Sequence, residues 1–179
     1  MNGEQGFYGW EDTIHQHAYI LLCQLFALSE FEKLAHWGGP PDAFQTLLGR
    51  EEPEFNKNIM TLAALARAND DAGKGLGEYM KRNPEGVGKL TVDGNEQTLT
   101  AREACNKIIH SREANVKMTE TQEHPVYAKI HRAKGIVDTT TYQVPLLHLR
   151  GRQTGKNGKE WGAEVNLIRW IIAVAFFAT

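Results

Sequence analysis

Apolar side chains recur every three or four residues over 12–37, which is the spacing of an amphipathic helix. The stripe consists of Ile14, Ala18, Leu21, Leu25 and Leu28. A second stripe covers 51–71, with Pro53 in its first turn, where the missing N–H of a proline costs nothing. Between the two, 42–48 predicts a short helix that Gly49 ends. The first part of the chain is therefore expected to be helical.

Two short runs, 89–92 and 96–99, flank an Asp-Gly-Asn turn and predict a small β-hairpin. Thr100 follows directly, with Glu103 three residues later. This pair is a capping box, in which the threonine oxygen accepts from the backbone N–H of the glutamate and the glutamate reaches back to the threonine amide. A helix is expected to begin at this point.

The last third of the chain contains a second hairpin signal. Residues 111–141 show no clear period, whereas 143–149 and 160–165 flank a Lys-Asn-Gly-Lys turn. The chain then reaches 170–178, a run of nine apolar residues. Because a membrane-spanning helix needs about 20 apolar residues, no span is expected, and we interpret the run as a buried or subunit-interface helix. A membrane-surface anchor is the alternative.

Together these elements predict an α+β fold that is mainly α. The expected architecture is an antiparallel helical bundle over 1–115 that includes the small β-hairpin, with a C-terminal hairpin and an apolar helix, 142–179, packed on it. A chain of 179 residues falls within the size of one domain, about 100–200 residues, so 1–179 is expected to form a single domain.

Composition excludes several classes of protein. With 41% hydrophobic and 23% charged residues, the chain is neither disordered nor a disulfide scaffold. Twenty Lys and Arg against 22 Asp and Glu give a net charge of −2, which leaves no overall bias toward polyanions. Cys23 and Cys105 are far apart and no secretory signal is visible, so a cytoplasmic location is expected. No metal or cofactor is expected, because no ligand set or nucleotide-binding loop is complete.

Arg102, Asn106 and His110 are spaced four residues apart, which places them on one face of the capped helix. Arginine can hold a phosphate, histidine can act as general acid or base, and asparagine can orient either one. The set suits attack of an RNA 2′-hydroxyl on the neighbouring phosphate. The alternative is a solvated first-turn arginine, an asparagine that bonds a neighbouring loop, and a histidine that the helix dipole favours at the C-terminus.

A basic turn near the C-terminus is the second candidate site. It predicts a nucleic-acid-binding surface made of Arg150, Arg152, Lys156, Lys159 and Trp161. The cations would contact the phosphate backbone and the indole ring would stack on a base. A solvated hairpin tip whose charges discourage edge pairing is the alternative.

The segment 106–110, Asn-Lys-Ile-Ile-His, resembles the second half of the Arg-polar-x-x-x-His motif of HEPN domains. The chain also resembles uncharacterised bacterial and phage proteins that carry an Arg-Glu-Ala-Cys-Asn-Lys-Ile-Ile-His segment and end in a hairpin with Gly-Lys-Glu-Trp. The resemblance implies a helical bundle that usually dimerises with its motifs facing each other. Many HEPN proteins are metal-independent endoribonucleases of toxin–antitoxin and phage-defence systems. Here Cys105 stands where the family has its arginine, and the nearest arginines are Arg102 and Arg112.

The expected function is therefore that of a HEPN-like, metal-independent endoribonuclease with RNA as its partner. In it, His110 would be the general base or acid, Arg102 would stabilise the phosphate charge and Asn106 would orient the histidine. The alternative is a non-catalytic interaction module, in which 170–178 forms a homodimer or docks on a protein partner.

Overall fold

A computed structural model describes the chain over residues 8–35, 43–73, 75–77, 81, 83–137, 139–153 and 158–176. The helices and strands in chain order are α1 (Tyr8–Ala35), α2 (Ala43–Asp71), β1 (Gly88–Val92), β2 (Asn95–Leu99), α3 (Ala101–Ile109), β3 (Glu113–Thr121), α4 (Ala128–Ala133), β4 (Tyr142–Arg152), β5 (Glu160–Asn166) and α5 (Leu167–Phe176).

The strands form one five-stranded antiparallel sheet with the order β2-β1-β5-β4-β3. The expectation of a mainly α fold built on an antiparallel helical bundle is therefore wrong. Two features overturn it. The two hairpins are not separate, because β1 pairs with β5 along 88–92. In addition, 113–121, where no element was expected, forms a fifth strand beside β4.

The small hairpin between β1 and β2 confirms the prediction from the Asp-Gly-Asn turn. Val92 faces Asn95 across the two strands. The two residues between them, Asp93 and Gly94, have φ angles of 51° and 78°. Positive φ at both central residues is what a two-residue type I′ turn requires, because its twist matches that of the flanking strands.

Helix α3 begins where the capping box predicts. The Thr100 hydroxyl oxygen accepts from the backbone N–H of Glu103 at 3.1 Å, and the Glu103 carboxylate accepts from the backbone N–H of Thr100 at 3.3 Å. These bonds satisfy amide groups that have no partner within the helix.

Helix α1 confirms the first predicted helix, but α2 differs from its prediction. It runs without a break from Ala43 to Asp71, so Gly49 does not end a helix and Pro53 lies inside one. A glycine in a helix costs only about 1 kcal/mol relative to alanine. Packing of α2 against α1 and α3 outweighs this cost, since tertiary contacts supply most of the stability of a helix.

The core lies on one face of the sheet. Helices α3 and α5 pack against β4 and β5, and α1 packs against α2 and α5. Helix α5 buries Trp170, Ile171, Ala173 and Val174, each at most 2% exposed, within a single copy of the chain. The rest of the chain therefore covers most of the described part of the apolar run 170–178, although Phe176 is 60% exposed. Self-association through this run stays a prediction.

Each described helix is either too short or too polar to cross a bilayer.

Candidate functional site

The polar face of α3 binds α2. Both ends of the Arg102 guanidinium pair with carboxylates at the end of α2, one with Asp70 and the other with Asp71. The hydrogen bond that Arg102 donates to Asp70, followed by the one that it donates to Asp71, raises the pKa of Arg102 above its usual value. The hydrogen bond from Arg102 lowers the pKa of Asp71. Two carboxylates thus compensate the positive charge that was expected to meet a phosphate.

Asn106 also belongs to this contact, because its side-chain oxygen accepts from Arg67 of α2. Arg67 in turn pairs with Asp71 at 3.2 Å. His110 is the C-cap of α3, and its backbone N–H donates to the carbonyl of Asn106. Arg102 and Asn106 lie one turn apart on α3 and join it to α2, whereas His110 is the exposed residue that follows the last residue of the helix. The prediction that the three act in catalysis remains untested.

The residues of the basic turn do not share one surface. Arg152 donates from Nε to the carbonyl of Gly158 at 2.7 Å. Lys159 forms an ion pair with Asp93 in the β1–β2 turn. Lys156 lies outside the described residues. Arg152 therefore makes a contact within the β4–β5 hairpin, and Lys159 connects this hairpin to the β1–β2 turn.

Trp161 lies on the inner face of β5 and is only 5% exposed. Gly151 packs against the Trp161 ring. The Lys107 side chain lies over the ring, with Nζ 4.4 Å from the ring centroid. Burial lowers the pKa of Lys107. A base could stack on this ring only by displacing Lys107, so the geometry gives Trp161 a role in packing.

The outer face of the sheet, opposite the helices, carries polar side chains in rows. Residues directly opposite each other in an antiparallel pair point to the same face. Lys89 of β1 lies opposite Glu164 of β5, and Glu164 lies opposite His148 of β4. His148 lies opposite Asn115 of β3. Four strands therefore contribute one continuous polar row.

The neighbouring row of the outer face contains Gly162, which has no side chain beyond a hydrogen atom. Thr91 lies opposite Gly162, Gly162 opposite Arg150, and Arg150 opposite Glu113. A Cβ atom on Gly162 would have the Leu149 carbonyl oxygen, 3.9 Å away, as its nearest contact. The surface above Gly162 is thus open, with Arg150 on one side and Thr91 on the other.

These two rows line a hollow of about 420 Å³ on the outer face. Sites for small ligands usually have volumes of about 300–1,000 Å³. The residues that line it are Lys89, Thr91, Glu96, Glu113, Ala114, Asn115, Lys117, His148, Leu149, Arg150, Gly162, Ala163 and Glu164. Acid–base and cationic side chains thus converge around open space in this hollow.

Several charges in the hollow are paired with each other. His148 Nδ1 lies 3.8 Å from Glu164 Oε2, with the two side chains 39% and 40% exposed. Lys89 Nζ lies 3.1 Å from Glu96 Oε1. Arg150 and Lys117 form no ion pair with any residue that the structure describes, although Glu113 lies opposite Arg150. Arg150 and Lys117 are therefore available to an anionic ligand. They lie near His148, which is close to the Glu164 carboxylate.

Of the predicted functional residues that the structure describes, only Arg150 lines this hollow. His148 and Glu164 were missed, although the alternation of polar and apolar residues along β4 and β5 places them on one face. Lys117 and Asn115 were missed because β3 was not recognised. Its apolar residues, at every second position from Ala114 to Met118, were the available signal.

In comparisons with known proteins, no family model, no curated protein and no solved structure matches the chain. Within the described part of the chain, no group of three or more His, Cys, Asp and Glu side chains could hold a metal ion. The site must therefore be interpreted from its own geometry.

Proposed function

We propose that this chain cleaves RNA in the hollow on the outer face of the sheet, with His148 and Glu164 as its acid–base pair. The observation that carries the proposal is the contact between these two side chains beside Arg150 and Lys117, above the open floor at Gly162. An imidazole and a carboxylate supply a proton donor and a proton acceptor near neutral pH. Arg150 and Lys117, which form no ion pair with a described residue of their own chain, supply charge for a phosphate.

RNA fits this set because it carries its own nucleophile, the 2′-hydroxyl. The ionised carboxylate of Glu164 takes the 2′-hydroxyl proton, and the 2′-oxygen forms a bond to the neighbouring phosphorus. The bond from phosphorus to the 5′-oxygen breaks, and protonated His148 gives its proton to that oxygen. The products are a 2′,3′-cyclic phosphate and a 5′-hydroxyl. Transfer of the proton from Glu164 to His148 then restores both groups.

Arg150 and Lys117 act on the charge that develops on the phosphate oxygens during this step. Arg150 is next to Gly162 in its row, and Lys117 follows Asn115 by two residues along the same face of β3. Preorganised cations at such a position stabilise the transition state more than the ground state. The enzyme would work in the cytoplasm, in agreement with the unpaired Cys23 and Cys105.

This proposal keeps the ribonuclease activity that the HEPN resemblance implies and moves the site from α3 to the sheet. The reason is that the two candidate arginines differ in their ion pairs. Arg102 is paired with Asp70 and Asp71, whereas Arg150 has no ion pair among the described residues.

The test uses a fluorescently labelled RNA oligonucleotide and the same sequence with 2′-O-methyl groups. We expect the wild-type chain to cleave only the first, because the second has no free nucleophile. His148→Asn and Glu164→Gln should each reduce the cleavage rate by about 10²–10⁴-fold, as loss of a general acid or base does. Both side chains are well exposed, so the variants are expected to fold.

Two further variants locate the site. Gly162→Val places a branched side chain in the hollow, where its Cβ atom meets no atom closer than 3.9 Å, and should abolish RNA binding as measured by fluorescence anisotropy. Thr98→Val, on the same face beside Lys89 but outside the lining, is the matched control and should bind normally. Cleavage that is lost in His110→Ala and kept in His148→Asn would place the site on α3 and overturn the proposal. Absence of cleavage in the wild-type chain would also overturn it.

A further inference from the structure

Strand β3 forms one edge of the sheet. It pairs with β4 along all nine of its residues, and no other described strand pairs with it. Most of its residues are exposed, and the apolar Val116 and Met118 of its inner face are only partly covered. A long edge of unpaired backbone groups is a template for another strand.

The side chains of β3 complement a second copy of the same strand. The outer face carries Glu113, Asn115 and Lys117, and the inner face carries Ala114 and Val116. If two copies pair antiparallel about a two-fold axis at Asn115, Glu113 of each copy faces the partner's Lys117. On the other face, Ala114 faces the partner's Val116. Opposite charges and apolar groups then meet in the same register.

Neighbouring registers lose this match. An axis at Lys117 places Lys117 opposite the partner's Lys117, and like charges directly opposite each other are destabilising. An axis at Val116 places Glu113 opposite the partner's Thr119 and Lys117 opposite the partner's Asn115, which leaves both charges without a counter-charge. We propose that the chain forms a homodimer through β3, with the two-fold axis at Asn115.

This dimer would join the two sheets into one and bring the two hollows together. Asn115 and Lys117 line the hollow and also lie in the proposed interface. Each copy would therefore pair its Lys117 with the partner's Glu113 at the rim of both sites, which leaves Arg150 as the principal cation for the phosphate in each site. The contact surface is the same on both copies, as a closed two-fold dimer requires.

Cysteine cross-linking tests the axis directly. Opposed residues in an antiparallel pair have Cα atoms about 4.5–5.5 Å apart, and disulfides need about 4.4–6.8 Å. In a Cys23→Ser background, Asn115→Cys should form a disulfide-linked dimer under mild oxidation. Thr119→Cys is the control, because its two copies would lie about 26 Å apart at about 3.3 Å per residue.

Charge reversal tests the register by analytical ultracentrifugation. Lys117→Glu should shift the chain to the monomer, because it faces the partner's Glu113 with a like charge. The double variant Glu113→Lys, Lys117→Glu restores opposite charges and should restore the dimer. Lys129→Glu, an exposed lysine of α4, is the control for the change in net charge and should remain dimeric. Circular dichroism confirms that each variant folds.

A wild-type chain that sediments as a monomer across the accessible concentrations would overturn the proposal. Equal cross-linking of Asn115→Cys and Thr119→Cys would also overturn it, as would a double variant that stays monomeric. These readouts are molecular masses, so the result does not depend on whether the chain cleaves RNA.

Discussion

Two glycines on neighbouring strands, Gly151 of β4 and Gly162 of β5, should respond in opposite directions to the same substitution. They lie on opposite faces of the sheet, since Gly151 faces Trp161 on the inside and Gly162 faces Arg150 on the outside. Alanine adds one methyl group in each case. The expected signs follow from what that methyl group meets.

At Gly151, a Cβ atom would overlap Cζ2 of Trp161, its nearest neighbour, and would lie 2.6 Å from Cε2 and 3.0 Å from Cη2. Carbon atoms in ordinary contact are about 3.5–4.0 Å apart, so the ring must move by more than about 1 Å. Trp161 has little room, because it is 5% exposed and carries Lys107 over its ring. Overpacking of a core usually costs about 1–3 kcal/mol, and we expect Gly151→Ala to destabilise the chain by this amount.

At Gly162, the nearest atom to the added methyl group is 3.9 Å away, which is ordinary contact. Alanine restricts the unfolded chain more than glycine does. Gly162→Ala should therefore stabilise the fold by about 0.4–1 kcal/mol.

Thermal unfolding followed by circular dichroism measures both effects. For chains of this size, 1 kcal/mol shifts Tm by about 2–4 °C. The expected shifts are a decrease of about 2–12 °C for Gly151→Ala and an increase of about 1–4 °C for Gly162→Ala. Shifts of the same sign would refute the reasoning, because they would mean that the two glycines do not lie on opposite faces.

Three other predictions concern the helices. Burial raises the pKa of the Cys105 thiol to about 12, so a thiol reagent should modify only the exposed Cys23 in the folded chain and both cysteines in denaturant. Arg102 lowers the pKa of Asp71 in the folded chain, so their pair contributes stability above about pH 4 and loses it as the pH falls through the lower folded pKa. The destabilisation caused by Arg102→Ala in urea unfolding should accordingly be larger at pH 7 than in acid; an equal loss at both would contradict the pairing. Thr100→Ala removes the cap of α3 and should cost about 1 kcal/mol in the same assay, and Thr100→Ser should recover most of it.

Short sequence motifs correctly predicted the hairpin turn and the helix cap, because a few neighbouring residues determine each of them. The turn at Asp93 and Gly94 needs positive φ angles, and the cap at Thr100 needs one hydroxyl and one carboxylate. The break expected at Gly49 was wrong because contacts with α1 and α3 hold α2 together. A local cost of about 1 kcal/mol is small beside such packing.

The sheet and its site could not be predicted in the same way. The pairing of Gly88 with Val165 joins the first and the last described strands in chain order, which are far apart in the sequence. No short segment of sequence encodes it. A Cβ on Gly88 would clash with the backbone of Glu164, so this glycine permits the close approach, but its sequence context does not reveal the partner. His148 and Glu164 meet only through the register of β4 and β5. A candidate site whose residues come together through strand pairing therefore cannot be predicted from the sequence until the pairing is known.

The position of β5 in the sheet determines when the fold can form. Residues 160–166 supply the central strand, and β5 is the only described strand that pairs with both the β1–β2 pair and the β3–β4 pair. During synthesis, the ribosome releases four strands before the one that connects them. Contacts between such distant segments slow folding, because loop closure must precede the gain from pairing. Until β5 arrives, the two halves of the sheet expose edges that chaperones would have to shield.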